Sequence, residues 1–265
     1  MTRIIQISDM HIVAPPALVG GQVDTRERLE RALERIRELI PLIGPVDLIL
    51  ATGDLVDLGR DEDYRAYRAI FDAIEAPFAA IPGNHDRREA LRAAFADNPL
   101  TPAAGPIDWV LDLKDFRVIG LDTLVEGQAG GALGADSLEF LRAALDDAAD
   151  RPALVALHHP PFLTGVGFMD RIGLANAEEF GRILEGRRAE TRVICGHVHR
   201  HITGSAGGWP ALTAPSTAHA IAVDYRPEAK VGFMVETGGF LIHEWIGAFR
   251  TTHVSVDPGR GPYSF

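Results

Sequence analysis

Five short clusters of carboxylate, amide and imidazole side chains punctuate the chain between residues 9 and 199. They are Asp9-Met10-His11, Gly53-Asp54-Leu55-Val56-Asp57, Gly83-Asn84-His85-Asp86, His158-His159 and Gly196-His197-Val198-His199. Oxygen and imidazole donors without thiolate suit Mn, Fe, Zn or Co and leave the choice among them open. Asp9 and His11 are two residues apart, as are His197 and His199. In an extended segment each pair would point to one side. Gly53, Gly83 and Gly196 directly precede prospective ligands, where a residue without Cβ allows tight turns and close backbone approach. Any one cluster could be an ordinary turn or loop, but all five in this order point to a common site. Metal ions held there would lower the pKa of bound water and supply a hydroxide at neutral pH. Ser8 and Thr52 border these clusters without a nucleophile-elbow pattern, so no covalent enzyme intermediate is expected.

The elements that must position these residues are short apolar runs, one just before each cluster. Strands are expected over 3–8, 46–52, 78–81, 153–157 and 192–195. A helix over 25–40 is signalled by Asp24 and Glu27 at capping-box spacing, with Leu29, Leu33, Ile36 and Ile40 as its apolar face. Further helices are expected over 62–74, 88–95, 136–148 (opened by Asp136 and Glu139) and 177–184. Strands are expected over 109–113, 117–121, 211–213, 220–223, 231–236 and 240–246. Strands alternating with helices predict an α/β core, and the later hairpins a second, more antiparallel sheet. In open α/β sheets ligands gather beyond the carboxyl ends of the strands, so five strand ends on one edge form one site. Because the clusters run from 9 to 199 they cannot be divided. Residues 1–250 are read as one catalytic domain and 251–265, with Pro258, Gly259, Gly261 and Pro262, as a C-terminal tail.

The 265 residues carry 37 Asp and Glu against 26 Lys and Arg, a formal net charge of −11. That balance argues against nucleic-acid polymers and anionic membranes as partners. It leaves room for a small anionic substrate, since bound dications reverse the field locally. The single cysteine, Cys195, rules out an intramolecular disulfide and a thiolate metal site. It reads as a small buried core residue. No run approaches the roughly 20 apolar residues of a membrane span, and the N-terminus meets Asp9 too early for a signal-peptide core. A cytoplasmic location is expected.

The order D-x-H, GDxxD, GNHD, H-H, GHxH resembles the calcineurin-like metallophosphoesterase superfamily. Within it, Ile81 to Asp86, Leu157 to Phe162 and Cys195 to His199 are similar to the class III bacterial cyclic-nucleotide and glycerophosphodiester phosphodiesterases. The resemblance implies an α/β/β/α sandwich of two mixed β-sheets flanked by helices. It implies two divalent or trivalent metal ions per subunit, with Asp9, His11 and His199 on one, Asn84, His158 and His197 on the other, and Asp54 bridging. It makes His85 the group over the substrate, oriented by Asp57 through a hydrogen bond, with Asn84, His85 and His219 meeting substrate. The implied enzyme is a metal-dependent phosphodiesterase for small phosphodiesters such as cyclic AMP or glycerophosphodiesters. Relatives are often oligomeric, which leaves a homo-oligomer open, with residues 231–246 and the tail as its contacts.

A phosphomonoesterase, including a protein phosphatase, is the alternative within the superfamily. Protein phosphatases generally carry Glu where Asp86 closes Gly-Asn-His-Asp. A catalytically silent scaffold is disfavoured by the intact Asp54, Asn84 and His85, and a nuclease by the lack of a basic groove. Of the remaining histidines, His159, His201 and His243 read as structural. The segment 127–134 reads as a flexible connection, lacking the lysine of a phosphate loop. The apolar residues of 162–170 fit either core or a substrate wall.

Overall fold

The computed structural model describes residues 1–72, 74, 76–226, 228–261 and 263–264. The first apolar run becomes β1 (Arg3–Ile7), buried along its length. The chain then passes through α1 (Thr25–Ile43), β2 (Leu48–Thr52), α2 (Asp61–Phe71), β3 (Phe78–Ile81) and α3 (Arg88–Ala94). Next come β4 (Trp109–Asp112), β5 (Arg117–Leu121), α4 (Ala135–Ala148), β6 (Ala153–Leu157), α5 (Gly167–Asp170), α6 (Ala177–Leu184) and β7 (Thr191–Cys195). The remainder is β8 (Thr203–Ala206), β9 (Trp209–Thr213), β10 (Ala220–Ile221), β11 (Phe233–Met234), β12 (Gly239–Trp245) and β13 (Phe249–Ser255).

Two mixed sheets carry the fold. The first has the order β13-β12-β1-β2-β3, the second β4-β5-β6-β7-β9-β8. In the first, β1, β2 and β3 are parallel while β12 and β13 are antiparallel. In the second, β5, β6, β7 and β9 are parallel. Strand alternation divides the core, because successive side chains point to opposite faces. Val118, Leu154, Ala156, Ile194 and Leu212 join the cluster that holds β1, β2 and the buried faces of α1 and α2. Their neighbours Ile119, Leu121, Val155, Leu157, Val193 and Cys195 pack with Leu138, Leu141 and Phe180 of α4 and α6. The result is the expected α/β/β/α sandwich.

Asp24 caps α1 by accepting hydrogen bonds from the amides of Arg26 and Glu27. Other expectations are corrected. The β12–β13 hairpin joins the first sheet instead of building a second antiparallel one, with Leu241 opposite both Gln6 and His253. β13 crosses the boundary drawn at residue 250, so Thr251 to Ser255 are sheet and not tail. Gly134, without a side-chain cap, precedes α4, displacing Asp136 from that role. α2 ends at Phe71, short of residue 74, and Ala73 of the expected helix lies outside the described residues. So do Pro262 and Phe265 of the expected tail. Strands 220–223 and 231–236 shorten to a two-residue ladder, β10 with β11. Among the described residues no helix is long and apolar enough to cross a membrane.

Candidate metal centre

The carboxyl ends of the parallel strands converge. Asp9 and His11 follow β1, Asp54 and Asp57 follow β2, and Asn84 and His85 follow β3. From the other sheet, His158 follows β6, His197 and His199 follow β7, and His219 follows β9. Asp9, His11, Asp54, His158, His197, His199 and His219 are all at least nine-tenths buried. One ligand atom each from Asp9, His11, Asp54 and His199 lie within 4.8 Å of one another, as do those of His158, His159 and His197.

The loops keep their register by main-chain pairing. The amides of Asp9, His11 and Ile12 donate to the carbonyls of Gly53, Asp54 and Leu55 at 3.0–3.1 Å. Extended geometry does not align the paired ligands, contrary to the sequence expectation. Asp9, His11, Asp54, His197 and His199 have φ of 53°, 47°, 50°, 72° and 54°. Left-handed backbone at non-glycine residues is uncommon and clusters at functional sites. At Gly83 a Cβ would collide with the Asp54 carboxylate, and at Gly53 with the His158 ring. Here the close approach inferred from sequence is realised.

Second partners fix the imidazole tautomers. His158 Nδ1–H donates to the Thr52 carbonyl at 2.8 Å and His199 Nδ1–H to the His219 carbonyl at 3.0 Å. His11 Nδ1–H donates to the Asp57 carboxylate at 3.0 Å. The lone pairs of His11 Nε2 and His199 Nε2 therefore face each other, 3.1 Å apart. His11 Nε2 lies 3.5 Å from Asp54 Oδ2, and His199 Nε2 lies 3.5 Å from Asp9 Oδ1. Likewise His158 Nε2 sits 3.4 Å from Asp54 Oδ2, and Asn84 Oδ1 lies 3.2 Å from it and 3.0 Å from His197 Nδ1. With the imidazoles neutral, these buried acceptors point at one another without a donor between them, an arrangement that fits cations at the centre. Neutral imidazole and ionised carboxylate are the forms a metal requires.

The electrostatics carry the same tension. Burial, with Asp54 adding to it, pushes Asp9 up to about 6 against the pull of His158. Burial also opposes ionisation of Asp54, but His158, His85 and His11 outweigh it and hold Asp54 well below the usual carboxylate range. Burial disfavours the charged form of His158, yet Asp54 and Asp9 bring it up to about 9. Burial and adjacent imidazoles keep His197 and His199 well below the ordinary histidine value.

Several sequence-predicted residues fall differently. His85 Nδ1–H donates to the main-chain carbonyl of Asp57 at 2.8 Å. Asp57 thus meets His85 by a hydrogen bond, but from its main chain; its carboxylate is 3.5 Å from the ring and serves His11. His219 meets His199 and His11 at ring-centroid distances of 4.6 and 5.4 Å. Its Nδ1 is buried without a hydrogen-bond partner. His159 is held by the Thr123 hydroxyl at 2.8 Å and the Ala129 carbonyl at 3.2 Å, which pins the 127–134 segment to the site instead of leaving it a loose connection. His201 bonds the Thr213 carbonyl outside the cluster. Phe162 and Met169 belong to apolar clusters.

Sequence reasoning missed Asp86 as an organiser. Its carboxylate accepts from the amides of Gly83, Leu55 and Val56 and from the Tyr64 hydroxyl. It ties the second and third clusters together, and its position at the end of Gly-Asn-His-Asp was the available signal. Ser216 was also missed; its hydroxyl donates to the Asp9 carbonyl at 2.6 Å.

Comparison with known proteins points the same way. The family described as calcineurin-like phosphoesterase matches residues 2–201. A probable glycerophosphodiester phosphodiesterase from Arcobacter nitrofigilis is 32% identical over 265 residues, covering 99% of this chain and 96% of the relative. A 3',5'-cyclic adenosine monophosphate phosphodiesterase from Pseudomonas aeruginosa is 33% identical over 214 residues, covering 81% of this chain and 75% of the relative. Among solved structures, a dimetal phosphatase from Danio rerio superposes with a TM-score of 0.64 at 16% identity, covering 97% of this chain and 99% of the other. That likeness speaks for the fold alone.

Proposed function

The chain belongs to the calcineurin-like phosphoesterase family and is a metal-dependent phosphodiester hydrolase; from that premise we propose that it cleaves small phosphodiesters, cyclic nucleotides or glycerophosphodiesters, at a two-ion site. The observation that carries the site is the buried meeting of His11 Nε2 and His199 Nε2 at 3.1 Å, beside Asp9 and Asp54. In this reading Asp9, His11 and His199 hold one ion, Asn84, His158 and His197 the other, and Asp54 reaches both. When bound, such ions lower the pKa of water and neutralise phosphoryl oxygens.

The chain's own groups do the rest. Asp57 and the His219 carbonyl fix the ring orientations of His11 and His199. The Thr52 carbonyl does the same for His158. His85, its side chain 40% exposed, uses Nδ1–H on the Asp57 carbonyl and leaves Nε2 for the substrate. There it stabilises developing phosphoryl charge or passes a proton to the departing alkoxide. His219, 8% exposed with an unpartnered Nδ1, supplies a second contact beside it, and Asn84 a third. Cys195, unpaired and buried, is compatible with a reducing cytoplasm. Exposed Val223, Tyr225, Val231 and Met234 around β10 and β11 are where a second copy would pack in a homo-oligomer.

The test is a substrate panel with Mn, Zn, Co and Fe. It comprises bis(p-nitrophenyl) phosphate, the p-nitrophenyl monoester, 3',5'-cyclic AMP and glycerophosphocholine. The reading expects higher kcat/KM for at least one diester than for the monoester. Monoester preference over every diester contradicts it.

A further inference from the structure

Both prospective ions draw donors from both sheets. Asp9, His11, Asp54 and Asn84 stand on the first, His158, His197 and His199 on the second. Holding the ions therefore requires the two sheets to keep a fixed separation at this rim. Beneath it lies a polar residue in an unexpected place. Gln6 sits between Ile5 and Ile7 in the central strand β1 and is 0% exposed. An amide there costs stability unless every polar atom is paired. All of them are paired.

Gln6 Nε2 donates to Thr52 Oγ1 at 2.9 Å and to the Cys195 carbonyl, across in the other sheet, at 2.9 Å. Its Oε1 accepts from His243 Nε2–H at 2.9 Å, and His243 Nδ1 accepts from the Thr251 hydroxyl at 2.9 Å. Thr52 passes the chain on through its hydroxyl to Ser8 Oγ at 2.9 Å. The Thr52 carbonyl accepts a hydrogen bond from His158 Nδ1–H at 2.8 Å. Cys195 directly precedes Gly196 and His197, and Thr52 directly precedes Gly53 and Asp54. A single side chain on β1 thus touches the strand ends that launch two ligand loops, one from each sheet.

We propose that Gln6 is a positioning residue for the metal centre. Through Thr52 and Cys195 it sets the spacing between the half-sites of the two sheets and the orientation of His158. A fully satisfied buried network of this kind is rigid. Partners one shell behind metal ligands commonly change affinity by about 10–100-fold when removed. The inference rests on the two-ion reading of the site.

The test measures metal dissociation constants by calorimetry, and the absorption spectrum of the Co-loaded chain, for the parent, Gln6→Met, Thr52→Val and Thr52→Ser. Melting temperatures of the metal-free forms are recorded alongside. Gln6→Met should weaken at least one of the two binding events about 10-fold or more and alter the Co spectrum. Thr52→Val should do likewise, and Thr52→Ser, which keeps the hydroxyl, should restore both. If Gln6→Met folds and binds both ions with parent affinity and spectrum, the proposal is wrong. If Gln6→Met does not fold, equal binding by Thr52→Val, Thr52→Ser and the parent overturns it. A parent chain that fails to bind two ions removes the two-ion reading itself.

Discussion

His85 and Asp57 meet through a carbonyl, while the Asp57 carboxylate serves His11, and this separates two losses that would otherwise look alike. His85→Ala is expected to keep both ions and lose about 10²–10⁴-fold in turnover; metal analysis beside steady-state kinetics checks it, and parent-level turnover would remove His85 from the chemistry. Asp57→Asn is expected to lower metal affinity by about 10–100-fold, because it replaces the carboxylate that orients the His11 ring. Competition with a chromogenic chelator reads this directly. The five clusters were legible from residue type and order, while the choice of ion-holding side chains within them came from the family resemblance. The roles of Asp86, Gln6 and Ser216 were not legible, because they depend on which amides and hydroxyls the fold brings to them.

The parallel strands were readable because each is a short apolar run, and 78–81, 117–121 and 153–157 match the structure residue for residue. β13 was not, because an edge strand is half solvated. In Phe249–Ser255 only Phe249 is buried, so no apolar run marks it. The left-handed backbone at five prospective ligands was equally hidden, since Asp and His carry no glycine-like signal for positive φ. Gly83→Ala, whose Cβ would strike the Asp54 carboxylate, is expected to abolish binding of at least one ion, measured as metal per chain after dialysis. Asp24→Ala removes the α1 cap and a partly exposed ion pair with Arg26, both outside the ligand clusters. It is expected to cost about 1 kcal/mol of stability in urea unfolding while leaving kcat unchanged.

Across the whole molecule, the α/β core followed from the alternation of elements and the two-sheet sandwich from the family resemblance, but the return of β12 and β13 to the first sheet followed from neither. That return is what places His243 against Gln6. Burial, with Arg192 and His201 adding to it, lowers His243 from 6.5 to about 3. The unfolded chain therefore binds a proton that the folded chain refuses between those values. Stability falls as pH drops from about 6.5 towards 3, by up to about 1.4 kcal/mol per pH unit for this one group. His243→Gln is expected to flatten that slope in urea titrations of the metal-free protein, and an unchanged slope would place the acid sensitivity elsewhere.

The central claim, phosphodiester cleavage by a two-ion site, is tested most directly by titrating metal into chelator-stripped protein while following bis(p-nitrophenyl) phosphate hydrolysis. The account predicts no turnover without metal, full activity near two equivalents per chain, and none at any equivalence for Asp54→Ala. Undiminished turnover by the stripped chain, or saturation at one equivalent, would contradict it.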